Sequence, residues 1–320
     1  MTRKSVLVFR ELPEDQLARL RAAHEVTLAN PRVEAQRAAF FAALPAAQGL
    51  IGSSFRIDAA VLAQAPRLEV ISSISVGVDN YDLQALERRG ILLCNTPGVL
   101  TETTADTIFA LVMAASRRLV ELAAHVRDGH WTRNIDDSLF GWDVHGKTLG
   151  ILGYGRIGQA LARRAALGFA MPVLYHNPAP VELAELAGRA RHVGLDTLLA
   201  EADIVASTLP LTEQTRGLMD ARRFAAMKPG AIFVNGSRGA IVDEDALIGA
   251  LNQGRLRAAG LDVFAVEPLL LDSPLRTHPR VTALPHIGSA THETRHAMAR
   301  LATTQLLQAL AGERPAATVG

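Results

Sequence analysis

Arg238, Glu267 and His286 each stand where a short apolar run gives way to polar residues, in Asn-Gly-Ser-Arg-Gly, Val-Phe-Ala-Val-Glu-Pro and Leu-Pro-His-Ile-Gly-Ser-Ala-Thr. Singly, an arginine or glutamate at the end of a strand is most often a solvated or ion-paired surface group. Together the three types supply the parts that reduction of a 2-keto acid requires. A guanidinium offers a planar fork of donors that matches the substrate carboxylate. An imidazole, which ordinarily titrates at about pH 6.5, can protonate the carbonyl oxygen as it gains a hydride. A carboxylate within ~4–6 Å of the imidazole favours its charged form.

Chemistry of that kind needs a hydride carrier, and a second constellation upstream fits one. Gly153, Gly155 and Gly158, in Gly-Tyr-Gly-Arg-Ile-Gly, follow the β-like run Thr148–Leu152 and precede a helix expected over Gln159–Leu167. The first glycine permits a tight turn, the second lets backbone approach a pyrophosphate, and the third lets helix and strand pack closely. Phosphate oxygens then meet the unpaired N–H groups of the helix start. Arg156 and Ile157 lie inside the turn, where Arg156 is either a further phosphate contact or a solvated side chain.

Nineteen residues after Gly158, the expected strand Val173–His176 ends at Asn177, where an NAD-binding chain places an acid for the adenosine ribose hydroxyls. A neutral amide does not repel a 2′-phosphate, so the residue leans toward NADPH. Pro178-Ala179-Pro180, however, supplies none of the arginines that usually receive that phosphate. NADPH is therefore the first expectation and NADH the alternative.

The elements that must position these residues read as alternating strands and helices, the signature of an α/β fold with parallel sheets. Val6–Phe9, Val26–Leu28, Gly49–Gly52, Val70–Ser73 and Ile91–Cys94 read as strands, with helical stretches such as Pro13–Ala22 and Leu83–Arg89 between them. A long helix is expected from Thr101 to about Arg127, with an apolar face through Ile108, Leu111, Val112, Ala115 and Leu119. After a loop at 128–146 a second α/β unit runs from Thr148 to about His286, and a last helix from about Thr291 to Leu310.

On these residues and several longer segments, the chain resembles the D-isomer-specific 2-hydroxyacid dehydrogenases, and among them the bacterial 2-ketoaldonate, glyoxylate and hydroxypyruvate reductases. The segments are Ile-Ser-Val-Gly-Val-Asp-Asn-Tyr-Asp (74–82), Asn-Thr-Pro-Gly-Val-Leu-Thr-Glu-Thr-Thr-Ala-Asp-Thr (95–107), Asp-Val-His-Gly-Lys-Thr-Leu-Gly-Ile-Leu-Gly (143–153), Ala-Gly-Leu-Asp-Val-Phe (259–264) and His-Ile-Gly-Ser-Ala-Thr-His-Glu-Thr-Arg (286–295). The resemblance implies two flavodoxin-like or Rossmann-like domains. The substrate domain would be discontinuous, residues 1–100 plus 288–320, around an NAD(P)-binding domain at 101–287.

It further implies that Arg238 binds substrate, that Glu267 pairs with His286, and that His286 is the acid/base. Val76 and Gly77 match a turn whose N–H groups face the substrate carboxylate. Thr104, Leu209, Pro210 and Thr215 match cofactor-lining positions, and Asp262 matches a residue near the nicotinamide carboxamide. For Gly77, Thr104 and Asp262 the competing readings are a turn glycine and helix or turn caps. A homodimer is implied, with the 101–127 helix and the following loop, flanked by Trp131 and Trp142, at its centre.

Composition narrows the classes without choosing among enzymes. With 49% hydrophobic residues, 20% charged residues and a net charge of +1 over 320 residues, the chain can fill two cores and has no basic excess for nucleic acid. No apolar run is long enough to span a membrane, and the single cysteine, Cys94, suits a reducing cytoplasm as a small buried hydrophobe. Of ten histidines, His292 and His296 stand four apart, but no third ligand accompanies them, so no metal is expected. The expected partner is a small 2-keto acid. The alternatives are a phosphoglycerate dehydrogenase, which shares the Arg, Glu and His, and a dinucleotide-gated corepressor-like binding protein that performs no turnover.

Overall fold

The computed structural model describes residues 3–319 and divides into two compact units, Met1–Leu100 with Thr291–Gly320 and Thr101–Ala290. In chain order the strands are β1 Ser5–Val8, β2 Glu25–Leu28, β3 Gly49–Gly52, β4 Val70–Ser73, β5 Leu92–Cys94, β6 Leu149–Leu152, β7 Val173–His176, β8 Ala190–His192, β9 Ile204–Ser207, β10 Ala231–Asn235, β11 Leu256–Leu261, β12 Val281–Ala283 and β13 Thr318–Val319.

In the first unit the sheet order is β13-β5-β4-β3-β1-β2, parallel throughout except for β13, which runs antiparallel to β5. Strands covered on both faces are mostly apolar, and β3 and β4 are buried at every position, the serines of β4 included. The helix His292–Leu310, capped by the Thr291 hydroxyl accepting from Thr294 N–H, returns to this sheet. Ser72 Oγ on β4 donates to Ala302 O at 2.8 Å, and a Cβ at Gly49 would stand 3.1 Å from Leu306 and Leu310. Cys94 is buried in β5, and burial pushes its thiol up to about 11.

The second unit has a seven-stranded parallel sheet in the order β12-β11-β10-β9-β6-β7-β8. Its strand order reverses at β6, between β7 and β9, and open α/β sheets bind ligands outside the carboxyl ends of their strands at such a point. The expected helix of 101–127 is two helices, Thr101–Arg117 and Leu119–Arg127, broken at Arg118, which adopts φ 55°. The break is held by tertiary contacts. Arg118 Nη1 donates to Ser138 O at 2.6 Å, its guanidinium grips Glu121, and Trp142 N–H donates to Ser116 O at 2.9 Å. The helix after the glycine turn starts earlier than expected, at Arg156, and its α-helical part ends at Arg163.

Candidate active site

The glycine turn leaves the carboxyl end of β6. Gly153 has φ 90°, a left-handed conformation that glycine adopts without strain, and a Cβ there would press on the Leu209 backbone at 3.0 Å. A Cβ at Gly158 would lie 2.3 Å from Gly153 O, so only glycine lets the helix Arg156–Arg163 start this close to the strand. Gly155 is the opposite case: a Cβ there would meet nothing within 4 Å. That open space beside free helix-start N–H groups fits a pyrophosphate.

Tyr154 turns inward and stacks on Tyr175 with ring centroids 3.8 Å apart. Arg156 is exposed at the helix start and Ile157 packs against the core. Asn177 follows β7 and reaches back to the turn, its Oδ1 accepting from Tyr154 N–H at 3.3 Å while its Nδ2 donates to Ala179 O at 3.2 Å. Leu209 and Pro210 follow β9, and Thr215 Oγ1 donates to Pro210 O at 2.7 Å, tying that loop to itself.

Arg238, Glu267 and His286 leave the carboxyl ends of the neighbouring strands β10, β11 and β12. Glu267 accepts twice, Oε1 from Phe264 N–H at 3.1 Å and Oε2 from His286 Nδ1 at 2.7 Å. Burial pushes the Glu267 carboxyl up. The bonds from His286 and Phe264 and the charges of His286 and Arg238 outweigh it, so the group lies below its ordinary value. With Nδ1 given to the carboxylate, Nε2 is the nitrogen left for a substrate. His286 itself sits at φ 55°, a conformation costly for a non-glycine residue and concentrated at functional sites.

Asp262, buried at the end of β11, accepts from Ile287 N–H at 2.7 Å on Oδ1 and from Gly288 N–H at 2.8 Å on Oδ2. It therefore clamps the two residues that follow His286. Burial pushes its carboxyl up, and the opposing bonds from Ile287 and Gly288 do not bring it back to the ordinary value. Both residues lie within the second unit, which runs to Ala290. Thr104, buried in the first turn of Thr101–Arg117, lies on the other side of Gly288, where a Cβ would stand 3.3 Å from its methyl. Val76 and Gly77 belong to the first unit, on the turn after β4, which Asn95 Nδ2 holds by donating to Val76 O at 2.9 Å.

Comparison with known proteins matches residues 109–288 to the family model described as D-isomer specific 2-hydroxyacid dehydrogenase, NAD binding domain. The chain belongs to this family. The dehydrogenase is 52% identical to glyoxylate/hydroxypyruvate reductase B of Shigella boydii over 97% of this chain and 95% of that protein. The same identity and coverage hold for the Escherichia coli protein of that name. Among solved structures, a Thermus thermophilus protein superposes with a TM-score of 0.90 at 45% identity, covering 99% of this chain and 100% of the other. An NADPH-dependent glyoxylate/hydroxypyruvate reductase of Sinorhizobium meliloti, solved with NADP and malonate, gives 0.89 at 31% identity, covering 100% of this chain and 97% of the other.

The dehydrogenase is thus an oxidoreductase acting on CH–OH donors and the corresponding keto acids. Several residues that hold its site in place have no chemistry of their own and escaped the sequence reading. Asn235 Oδ1 accepts from Ser237 N–H at 3.1 Å and from Ser237 Oγ at 2.6 Å, while Asn235 Nδ2 donates to Arg238 O at 3.0 Å. Ser207 Oγ meets Ser237 Oγ at 2.9 Å, and Glu244 Oε1 accepts from Ala265 N–H at 2.7 Å. A Cβ at Gly239 would overlap the Phe264 carbonyl carbon at 1.8 Å, so the Arg238 loop and the Glu267 loop touch backbone to backbone. The glycines on either side of Ser237-Arg238 were the only sequence signal of that contact.

His296 Nε2 meets Asp15 Oδ2 at 3.0 Å, and no group of three His, Cys, Asp or Glu able to hold a metal gathers among the described residues. Trp142 lies under the Arg257 guanidinium at 4.4 Å, whereas Trp131 is exposed.

Proposed function

We propose that this chain reduces glyoxylate and hydroxypyruvate, and 2-ketogluconate as a larger member of the same class, to D-2-hydroxy acids with NADPH or NADH. The observation that carries the reading is the 2.7 Å bond between Glu267 Oε2 and His286 Nδ1 at strand ends beside that of Arg238. The bound dinucleotide supplies a hydride from its nicotinamide to the carbonyl carbon. Arg238 holds the substrate carboxylate with its fork. His286 delivers a proton from Nε2 to the carbonyl oxygen. Glu267 keeps the ring oriented, with Nε2 turned to the substrate. Asp262 acts by holding the segment after His286.

The cofactor cradle comprises Gly153, Gly155, Arg156, Ile157 and Gly158, with Thr104, Leu209, Pro210 and Thr215 around it and Asn177 at the adenosine ribose. The neutral Asn177 and the NADP-bound relative support NADPH over NADH. No observation favours the phosphoglycerate or corepressor readings.

The functional molecule is a homodimer acting in the cytoplasm on small molecules, without nucleic-acid or membrane partners. In support, the helix Leu119–Arg127 buries none of its residues, and Leu119, Val120, Val126, Trp131, Ile135 and Phe140 are exposed along it and the following loop. No helix among the described residues is long and apolar enough to cross a membrane. The decisive experiment is a grid of glyoxylate, hydroxypyruvate and 2-ketogluconate against NADPH and NADH. Absence of turnover with every pair sinks the proposal.

A further inference from the structure

Pro178-Ala179-Pro180 follows Asn177, so the chain that leaves β7 brings no cation to the ribose that Asn177 is proposed to hold. A basic group arrives from the neighbouring strand instead. β8 lies parallel to β7, with His192 in register with Tyr175, so both strands end at the same carboxyl edge. His192 is exposed there, and its Nε2 lies 2.9 Å from Asn177 O. A carbonyl only accepts, so Nε2 carries the proton. Nδ1 is the nitrogen left over, and nothing bonds it among the described residues.

Three strand ends build the place. Tyr154 of the glycine turn stacks on Tyr175, and the Tyr175 ring meets the His192 ring at 5.3 Å between centroids, so the ends of β6, β7 and β8 form one row. Asn177 ties the row together, its side chain accepting from Tyr154 N–H and its carbonyl from His192. The arginines nearby are engaged elsewhere. Arg191 alternates to the other face of β8 and pairs with Glu201 at 2.9 Å, and Arg163 pairs with Glu185. Arg189 precedes β8, at the opposite edge of the sheet, and its Nη1 donates to Ala166 O at 3.5 Å.

We propose that His192 is the specificity residue that receives the 2′-phosphate of NADPH, in place of the arginines missing after Asn177. This deepens the NADPH preference proposed above and rests on it. With its Nε2–H held by Asn177 O, the ring donates from Nδ1 only as imidazolium, so a hydrogen bond and a positive charge reach the phosphate together. The same bond fixes the ring beforehand, which leaves less side-chain freedom to be lost on binding. NADH has a hydroxyl at that place and gains no charge pairing. A hydrogen bond to a charged group contributes roughly tenfold to a hundredfold in affinity, and the exposure of His192 puts this one at the lower end.

The test is calorimetric titration of the wild type, His192→Gln and His192→Arg with 2′,5′-ADP and with 5′-AMP, at about pH 6.5, the ordinary midpoint of an imidazole. Glutamine can set its amide nitrogen against Asn177 O in place of Nε2, but it carries no charge and nothing in place of Nδ1–H. His192→Gln should weaken 2′,5′-ADP by about tenfold and leave 5′-AMP within about twofold of the wild type. The NADPH-to-NADH ratio of kcat/KM should fall in parallel. His192→Arg restores a cation and should recover the affinity for 2′,5′-ADP. Equal weakening of both nucleotides in His192→Gln, which is what a residue that only pins the loop would give, overturns the proposal, and so does no change in either. The wild type separates the two readings. If it prefers 2′,5′-ADP and His192→Gln keeps that preference, only the role of His192 fails, and if the wild type has no such preference, the NADPH reading itself fails.

Discussion

Gly239→Ala adds one carbon at the point where the loops of Arg238 and Glu267 touch. The new Cβ would lie 1.8 Å from the Phe264 carbonyl carbon, 2.0 Å from its oxygen and 2.3 Å from Ala265 N, all backbone atoms with no rotamer to yield. Relief requires the two loops to part by more than an ångström. Overpacking ordinarily costs about 1–3 kcal/mol, and a clash with rigid backbone belongs at the upper end. For a unit of this size, at roughly 2–4 °C per kcal/mol, the melting temperature should drop by about 6–12 °C.

The kinetic effect should be larger, because Glu267 hangs from the displaced backbone through its bond from Phe264 N–H. A shift of about 1 Å in catalytic groups can cost on the order of a hundredfold. The control is Gly249→Ala, at a helical glycine whose added Cβ would meet nothing within 4 Å. That change should stabilise by about 0.5–1 kcal/mol and leave kcat untouched. A Gly239→Ala protein with wild-type melting temperature and kcat/KM would refute the backbone contact and the coupling drawn from it.

His286→Gln should keep dinucleotide affinity and lose about 10²–10⁴ in kcat, and a smaller loss in single-turnover assays would remove His286 as the proton donor. Glu267→Gln replaces the carboxylate 2.7 Å from His286 Nδ1 by an amide whose N–H₂ can face the ring instead, so kcat should fall while dinucleotide affinity is kept. In the wild type the Glu267 carboxyl lies below its ordinary value of 4.5, so the pair should survive acidification past that pH and fail only below it. An unchanged kcat in Glu267→Gln would show that the pair does not orient the ring. Asn177→Asp keeps the acceptor for Tyr154 N–H and sets a negative charge where a 2′-phosphate would lie. It should shift the kcat/KM ratio toward NADH by at least about tenfold, or roughly 1.4 kcal/mol, and an unmoved ratio places Asn177 away from the ribose. Light scattering should find a dimer, and a monomer at micromolar concentration would contradict the role given to the exposed face around Leu119–Phe140.

The sheets were legible because parallel strands buried on both faces are near-continuous apolar runs, as in Leu149–Leu152 and Ile204–Ala206. The break at Arg118 was not, since nothing in an arginine announces a left-handed residue. Its conformation is fixed by carbonyls 20 and 22 residues further on, and an apolar face continuing through Leu119 reads as one helix. The hold on the segment after His286 was hidden for a related reason. Ile287 and Gly288 belong with the second sheet through a carboxylate 25 and 26 residues earlier.

The same division runs through the site. Arg238, Glu267 and His286 carry chemistry in their side chains, and chemistry can be read from residue type. What holds them is carried by groups whose meaning depends on a distant partner: Gly239 on Phe264, Asn235 on Ser237 and the Arg238 carbonyl, Asp262 on two N–H groups. Asp262 shows the consequence most clearly. Expected from sequence near the cofactor, it accepts from backbone on both oxygens and is buried, with a carboxyl that burial pushes above its ordinary value. A buried carboxylate is retained at that cost because no neutral side chain of its size accepts from two adjacent N–H groups on two separate oxygens. An asparagine there would set its own N–H₂ against one of them, release the segment after His286, and disturb the acid without touching it.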